Sequence, residues 1–342
     1  GYTYGLHGTP TTFTLEERIA ALEGATHCVL APSGLNAIAL VNTGLLKAGD
    51  ELLLPDNVYA PSLDMARSLL ADWGITHRTY DPLDAAGFAA LIGERTKLVW
   101  LEAPGSVTME FPDLRALVRA AKARGVITAL DNTWGAGLAF NAFDLGDGVG
   151  VDLSMHALTK YPSGGADVLM GAVCTRDAAL HEQVLLAHMR LGIGVAANDA
   201  ELVLRNLPTM ALRYAAQDAA ARTLAAWLEG QPGVAQVLHP ALPGAPGHDH
   251  WASHCTAAAG IFSVLLDETL PAAKVDAFIE ALRLFRIGYS WGGPMSLVVP
   301  YDLRQIRGPA SPLRGHLVRL CIGLEAVADL QADLAQALTQ LR

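Results

Sequence analysis

Asp131 and Lys160 carry the clearest chemical potential in this sequence. Asp131 ends the apolar run Val126-Ile-Thr-Ala-Leu130, which reads as a buried strand. The carboxyl ends of parallel strands are where open α/β sheets bind ligands. A carboxylate there can pair with a cation such as the protonated ring nitrogen of a pyridine cofactor, although on position alone a helix cap is the simpler reading. Lys160 lies in Ser154-Met-His-Ala-Leu-Thr-Lys-Tyr161, after the apolar run Val149–Leu153. Apolar neighbours desolvate an amine and lower its pKa, making it a nucleophile or base; an ordinary lysine sends its head into solvent instead. Taken together, an aspartate for a pyridinium nitrogen and a lysine able to link covalently are what pyridoxal phosphate (PLP) requires.

Other residues fit around that pair. Ser33-Gly34-Leu35 precedes an apolar helix, so its backbone N–H groups can face an anion such as a phosphate. Tyr59, in Asn57-Val-Tyr-Ala-Pro61, can stack on an aromatic cofactor or serve as a core tyrosine. Arg319 is a cation inside the apolar strand Leu317–Ile322 and needs a carboxylate. A structural acid or a substrate carboxylate held bidentately would serve equally. His248, Asp249, His250, His254 and Cys255 supply enough ligands for zinc, but they follow Pro243-Gly-Ala-Pro-Gly247 and match no zinc spacing. We read them as a polar surface loop and expect no metal.

These groups must be held by a framework, and the middle of the chain repeats strand, helix, strand. Lys97–Leu101 reads as a strand and Asp113 caps a helix running to Gly125, before the strand that ends on Asp131. Upstream, Thr14 and Glu17 suggest a capping box for a helix over Leu15–Glu23. A helix is expected around Asn36–Leu46 and a strand over Glu51–Leu54. The fold class is therefore α/β, with a large, mostly parallel sheet domain over 9–207. A smaller α+β domain follows over 208–342, with strand candidates Gly260–Leu266 and Leu317–Ile322 and a closing amphipathic helix. Residues 1–8 read as the remnant of an N-terminal arm, because the chain opens on Gly1 rather than methionine.

Composition narrows the function further. With 51% hydrophobic and only 17% charged residues, the chain must bury much of its surface. A net charge of −10 without a basic run argues against nucleic acid as a partner. The longest uncharged stretch, Gly24 to Leu46, is interrupted by Pro32, Ser33, Gly34, Asn36 and Asn42, so it reads as a buried loop and helix rather than a membrane span. Four scattered cysteines suit reduced thiols in a cytoplasm.

The ordered segments Tyr4-Gly5 with Gly8-Thr9, Pro32-Ser-Gly34, Tyr59-Ala-Pro61, Glu102-Ala-Pro-Gly-Ser106, Asp131-Asn-Thr-Trp134, Thr159-Lys-Tyr161, Ser290-Trp-Gly-Gly293, and Arg319 with Gly323-Leu-Glu325 resemble the Cys/Met-metabolism family of PLP-dependent enzymes. The resemblance covers nearly the whole chain and implies the aspartate-aminotransferase-like fold. It implies that Lys160 holds PLP and moves protons, Asp131 bonds the ring nitrogen, and Tyr59 stacks on the ring. Gly34, Leu35 and Thr159 would bind the phosphate, with Tyr4 reaching it from a neighbouring subunit. The active site would then be built by a dimer, with a tetramer as the common assembly. Arg319 would clamp the substrate carboxylate, helped by Ser290 and Trp291. Glu102–Ser106 followed by Val-Thr-Met-Glu110, and Trp291 before Gly-Gly, resemble the branch that cleaves the β-carbon–sulfur bond of L-cystathionine to homocysteine, pyruvate and ammonia. The same scaffold also serves γ-lyases, γ-synthases and β-lyases of cystine or cysteine conjugates. Leu6 stands where the family carries a phosphate-binding arginine, Ala157 where many members carry serine, and Met295 where glutamate is common, so weakened phosphate binding is expected. A zinc protein organised around the histidines is the rival of a different class, and it predicts a colourless protein.

Overall fold

The computed structural model describes residues 2–303, 307 and 313–342. The first sheet has seven strands: β1 (His27–Ala31), β2 (Glu51–Pro55), β3 (Thr76–Tyr80), β4 (Thr96–Glu102), β5 (Ile127–Asp131), β6 (Leu153–His156) and β7 (Gly171–Thr175). They lie in the order β1-β7-β6-β5-β4-β2-β3. β3, β2, β4, β5 and β6 pair in parallel, while β7 runs antiparallel to both β6 and β1. Leu98 and Trp100 of β4 pack into one apolar cluster and Val99 and Leu101 into another on the opposite face. A strand buried on both faces has no reason to alternate with polar residues, and Lys97–Leu101 does not.

The second sheet contains β8 (Val234–Leu238), β9 (Ile261–Leu266), β10 (Arg286–Ile287), β11 (Leu297–Tyr301) and β12 (His316–Cys321), in the order β10-β11-β12-β9-β8. All its pairings are antiparallel except β10 with β11. The fold is thus α/β, a large and mostly parallel sheet joined to a smaller sheet. Two buried side chains tie the parts together. Tyr161, which follows Lys160, accepts from the Gly260 N–H at 2.8 Å. Gln217, on the helix Met210–Leu228, donates to the carbonyls of Gly293 and Ile322 at 2.8 and 3.1 Å.

Several local expectations need correction. The first helix, α1, runs Pro10–Glu23, and Thr9 with Thr12 forms its capping box. Pro10 starts it a turn early because proline's fixed φ and missing N–H suit a first helical position; Thr14 bonds back to the Pro10 carbonyl instead. The stretch from Gly24 contains β1 and then α2 (Gly34–Leu45), so a strand stands where a loop was expected. His248–His254 is a short helix rather than a loop, with Trp251 buried as its anchor. Among the described residues, no group of three metal-type ligands converges and no helix is long and apolar enough to cross a membrane.

Candidate active site

β4, β5 and β6 end side by side, and each delivers a polar residue to the same edge. Glu102 and Asp131 are register partners at the ends of β4 and β5. Burial pushes both carboxyls up; the Asp131 charge adds to the shift at Glu102, while Thr133, His156 and Lys160 oppose it at Asp131. Glu102 is satisfied by the N–H groups of Tyr59 at 2.7 Å and Ser106 at 3.2 Å. Asp131 accepts from the Thr133 N–H at 3.0 Å and makes no ion pair among the described residues.

Lys160 sits in the turn after β6. Its Nζ donates to Ser290 Oγ at 2.9 Å and lies 5.3 Å from the centre of the Trp291 ring. Burial and the nearby Arg319 guanidinium lower its amine to about 8, against opposing pulls from Cys321 and Asp131. Gly292 is required here: its φ is +75°, and a Cβ would meet the Lys160 Cβ at 3.2 Å.

Arg319, on β12, is 5% exposed. Its Nη2 donates to the Tyr289 carbonyl at 2.6 Å, and its guanidinium carbon lies 5.4 Å from the Tyr301 ring centre. Its Nε is buried with no hydrogen-bond partner, and no carboxylate pairs with it among the described residues. The structural acid that sequence alone left open is therefore not the described solution. A buried guanidinium with free donors is a site for a ligand's carboxylate.

Ser33 caps α2, its Oγ accepting from the Asn36 N–H at 3.1 Å. The N–H groups of Gly34 and Leu35 find no acceptor among the described residues. Gly34 abuts the Lys160 turn, where a Cβ would sit 2.7 Å from that of Ala157. Tyr59 is 40% exposed, and burial, Asp131 and Glu102 raise its phenol.

Two predicted residues stand differently. The Thr159 hydroxyl donates to the Met170 carbonyl at 3.2 Å and accepts from its N–H at 3.0 Å. To bind a phosphate it would have to exchange that carbonyl. Tyr4 is 65% exposed beside the short turn Gly5–His7, stacked edge-on against His7, and makes no described contact with Lys160 or α2. Glu102 is the one acid of this cluster that the sequence marks only as part of Glu102-Ala-Pro-Gly-Ser106. A lone acid ending an apolar run, as Asp131 does, was the available signal for it.

These residues fit PLP. A half-buried Asp131 with no ion-pair partner among the described residues suits a protonated ring nitrogen, the free N–H groups of Gly34 and Leu35 suit a phosphate, and the Lys160 amine is depressed toward neutrality. A model of the Cys/Met metabolism PLP-dependent enzyme family matches residues 1–339. The chain is 40% identical over 344 residues to a cystathionine beta-lyase of Bordetella avium, covering 98% of this chain and 83% of that protein. It is 38% identical over 338 residues to a cystathionine beta-lyase of Escherichia coli, covering 97% and 84%. Cystathionine gamma synthase from Xanthomonas oryzae pv. oryzae, solved with aminoacrylate and cysteine, superposes with a TM-score of 0.92 at 33% identity, covering 99% and 88%.

Proposed function

Since the chain belongs to the Cys/Met metabolism PLP-dependent enzymes, we propose that it is a carbon–sulfur lyase that cleaves L-cystathionine at its β-carbon, releasing homocysteine, pyruvate and ammonia. The observation that carries the reading is the convergence of a depressed lysine amine and a carboxylate-free guanidinium on one segment, Tyr289–Trp291.

When bound, PLP supplies an electron sink for the charge left at the substrate α-carbon. Asp131 would keep a proton on the ring nitrogen, Tyr59 would stack on the ring, and the N–H groups of Gly34 and Leu35 would hold the phosphate with Thr159. Arg319 would clamp the α-carboxylate, with Ser290 and Trp291 lining the approach. Lys160 would anchor the cofactor and then take the α-proton on Nζ, a role that suits an amine lowered to about 8. The departing sulfur would receive a proton from Lys160 Nζ or Tyr59 Oη. The Tyr59 phenol is raised, so it serves as a donor rather than a base. The exposure of Tyr4 supports its use by a neighbouring subunit in a dimer-built tetramer, and four free cysteines suit a cytoplasmic enzyme.

L-Cystathionine turnover with added PLP tests the assignment. Thiol with pyruvate is expected. The structural likeness to a γ-synthase favours a second reading, attack at the γ-carbon, and 2-oxobutyrate as product would establish it instead.

A further inference from the structure

We propose that Cys321 is a positioning residue of this site, acting on Lys160 through Ser290. The inference rests on the reading of Lys160 as the cofactor lysine. Arg319 and Cys321 are two residues apart on β12 and so project from the same face of the strand. They hold consecutive carbonyls of one irregular segment: Arg319 Nη2 donates to Tyr289 O at 2.6 Å, and Cys321 Sγ donates to Ser290 O at 3.6 Å. The hydroxyl of that same Ser290 accepts from Lys160 Nζ at 2.9 Å. No helix or strand fixes residues 288–293. The ends of the segment are held by Gly288 N–H on the Val298 carbonyl and by Gln217 on the Gly293 carbonyl, and its middle by these two anchors and the contact of Gly292 with the Lys160 backbone.

The thiol is 2% exposed. Burial raises it, against Arg319 and Lys160, so it remains a neutral donor. Tyr161 and Tyr301 are the other titratable groups that feel it. A thiol is a weak donor, but the group it holds lies one residue's span from a proton-transferring amine. Small displacements there reduce rate more than binding.

The test uses the holoenzyme and the apoenzyme of Cys321→Ala, Cys321→Ser, Ser290→Ala and the Ser290→Ala/Cys321→Ala double variant. Cys321→Ala should lower kcat roughly three- to tenfold, with KM for L-cystathionine within about twofold. In the apoenzyme, the pH at which acetic anhydride half-labels Lys160 should fall, since the amine loses its held acceptor. Cys321→Ser, which keeps a donor, should restore both readouts. In the Ser290→Ala background the alanine at 321 should cost nothing further. Should Cys321→Ala not fold, Cys321→Val fills the volume without a donor and carries the same expectation. Unchanged kcat and labelling in the donor-free variant would overturn the proposal. So would a serine variant as poor as alanine, or additive losses in the double variant. Lys160→Ala separates the two levels: if it remains active, the lysine assignment has failed, whereas an inactive Lys160→Ala beside a normal Cys321→Ala removes only the role of Cys321.

Discussion

The two ends of the site are built in opposite ways. Where bonds would break, the chain gathers ionisable groups and buries them: Lys160, Arg319, Asp131 and Glu102 are all partly or fully withdrawn from water. Where the phosphate would rest, it offers the N–H groups of Gly34 and Leu35 at the start of α2 and no charge. Leu6 and Ala157 contribute no donor, and the Thr159 hydroxyl is engaged with Met170. Buried charges are unfavourable for folding but hold the shifted proton affinities that chemistry needs. Backbone N–H groups at a helix start carry only partial charge, yet they need no desolvated side chain. The reacting end is thus strained toward function, and the anion end relies on what any helix provides.

Substitutions at each end can break or sharpen that contrast. Lys160→Ala should remove at least about 10³-fold of kcat, since it deletes both the cofactor link and the proton carrier; substantial residual turnover would show that another base serves. Arg319→Leu should lower kcat/KM roughly 10²- to 10³-fold through a lost carboxylate clamp. Arg319→Lys should fall between, because an ammonium keeps the charge and loses the planar fork. Leu6→Arg addresses the other end, and PLP titration of the apoenzyme should show binding tightened roughly ten- to a hundredfold. An unchanged dissociation constant would mean that the helix start already saturates the phosphate.

The smallest effect concerns apoenzyme stability. Lys160 is lowered from 10.5 to about 8 in the folded chain, so the unfolded chain binds more protons between these values. Its contribution is complete above 10.5 and is lost as pH falls through about 8. Apoenzyme stability from denaturant unfolding, taken relative to Lys160→Met at each pH, should therefore rise across that window; the raised thiols and phenols, which pull the other way, cancel in that difference.

Much of this molecule was legible without coordinates, for a definite reason. Apolar runs such as Leu98–Leu101 and Val126–Leu130 announce strands buried on both faces, and a single acid ending such a run stands out against them. Asp131, Lys160 and Arg319 could be singled out because charge in an apolar neighbourhood demands a partner or a purpose. Local capping was less legible. Thr9 and Thr12 outcompete Thr14 and Glu17 because Pro10 sets the helix start, and the helix His248–His254 is held by the burial of Trp251 rather than by its own propensity.

Sequence by itself determined the strand and helix alternation, the family and the charged residues that need explanation, since all three depend on residue type and spacing along the chain. Tertiary structure alone decided what those residues meet. It left Arg319 without a described acid beside it, and the hold of Glu102 on the Tyr59 backbone and the chain of contacts from Cys321 through Ser290 to Lys160 join residues 31 to 130 positions apart. No local pattern encodes such meetings, because they arise only when the ends of β4, β5 and β6 are brought against β12.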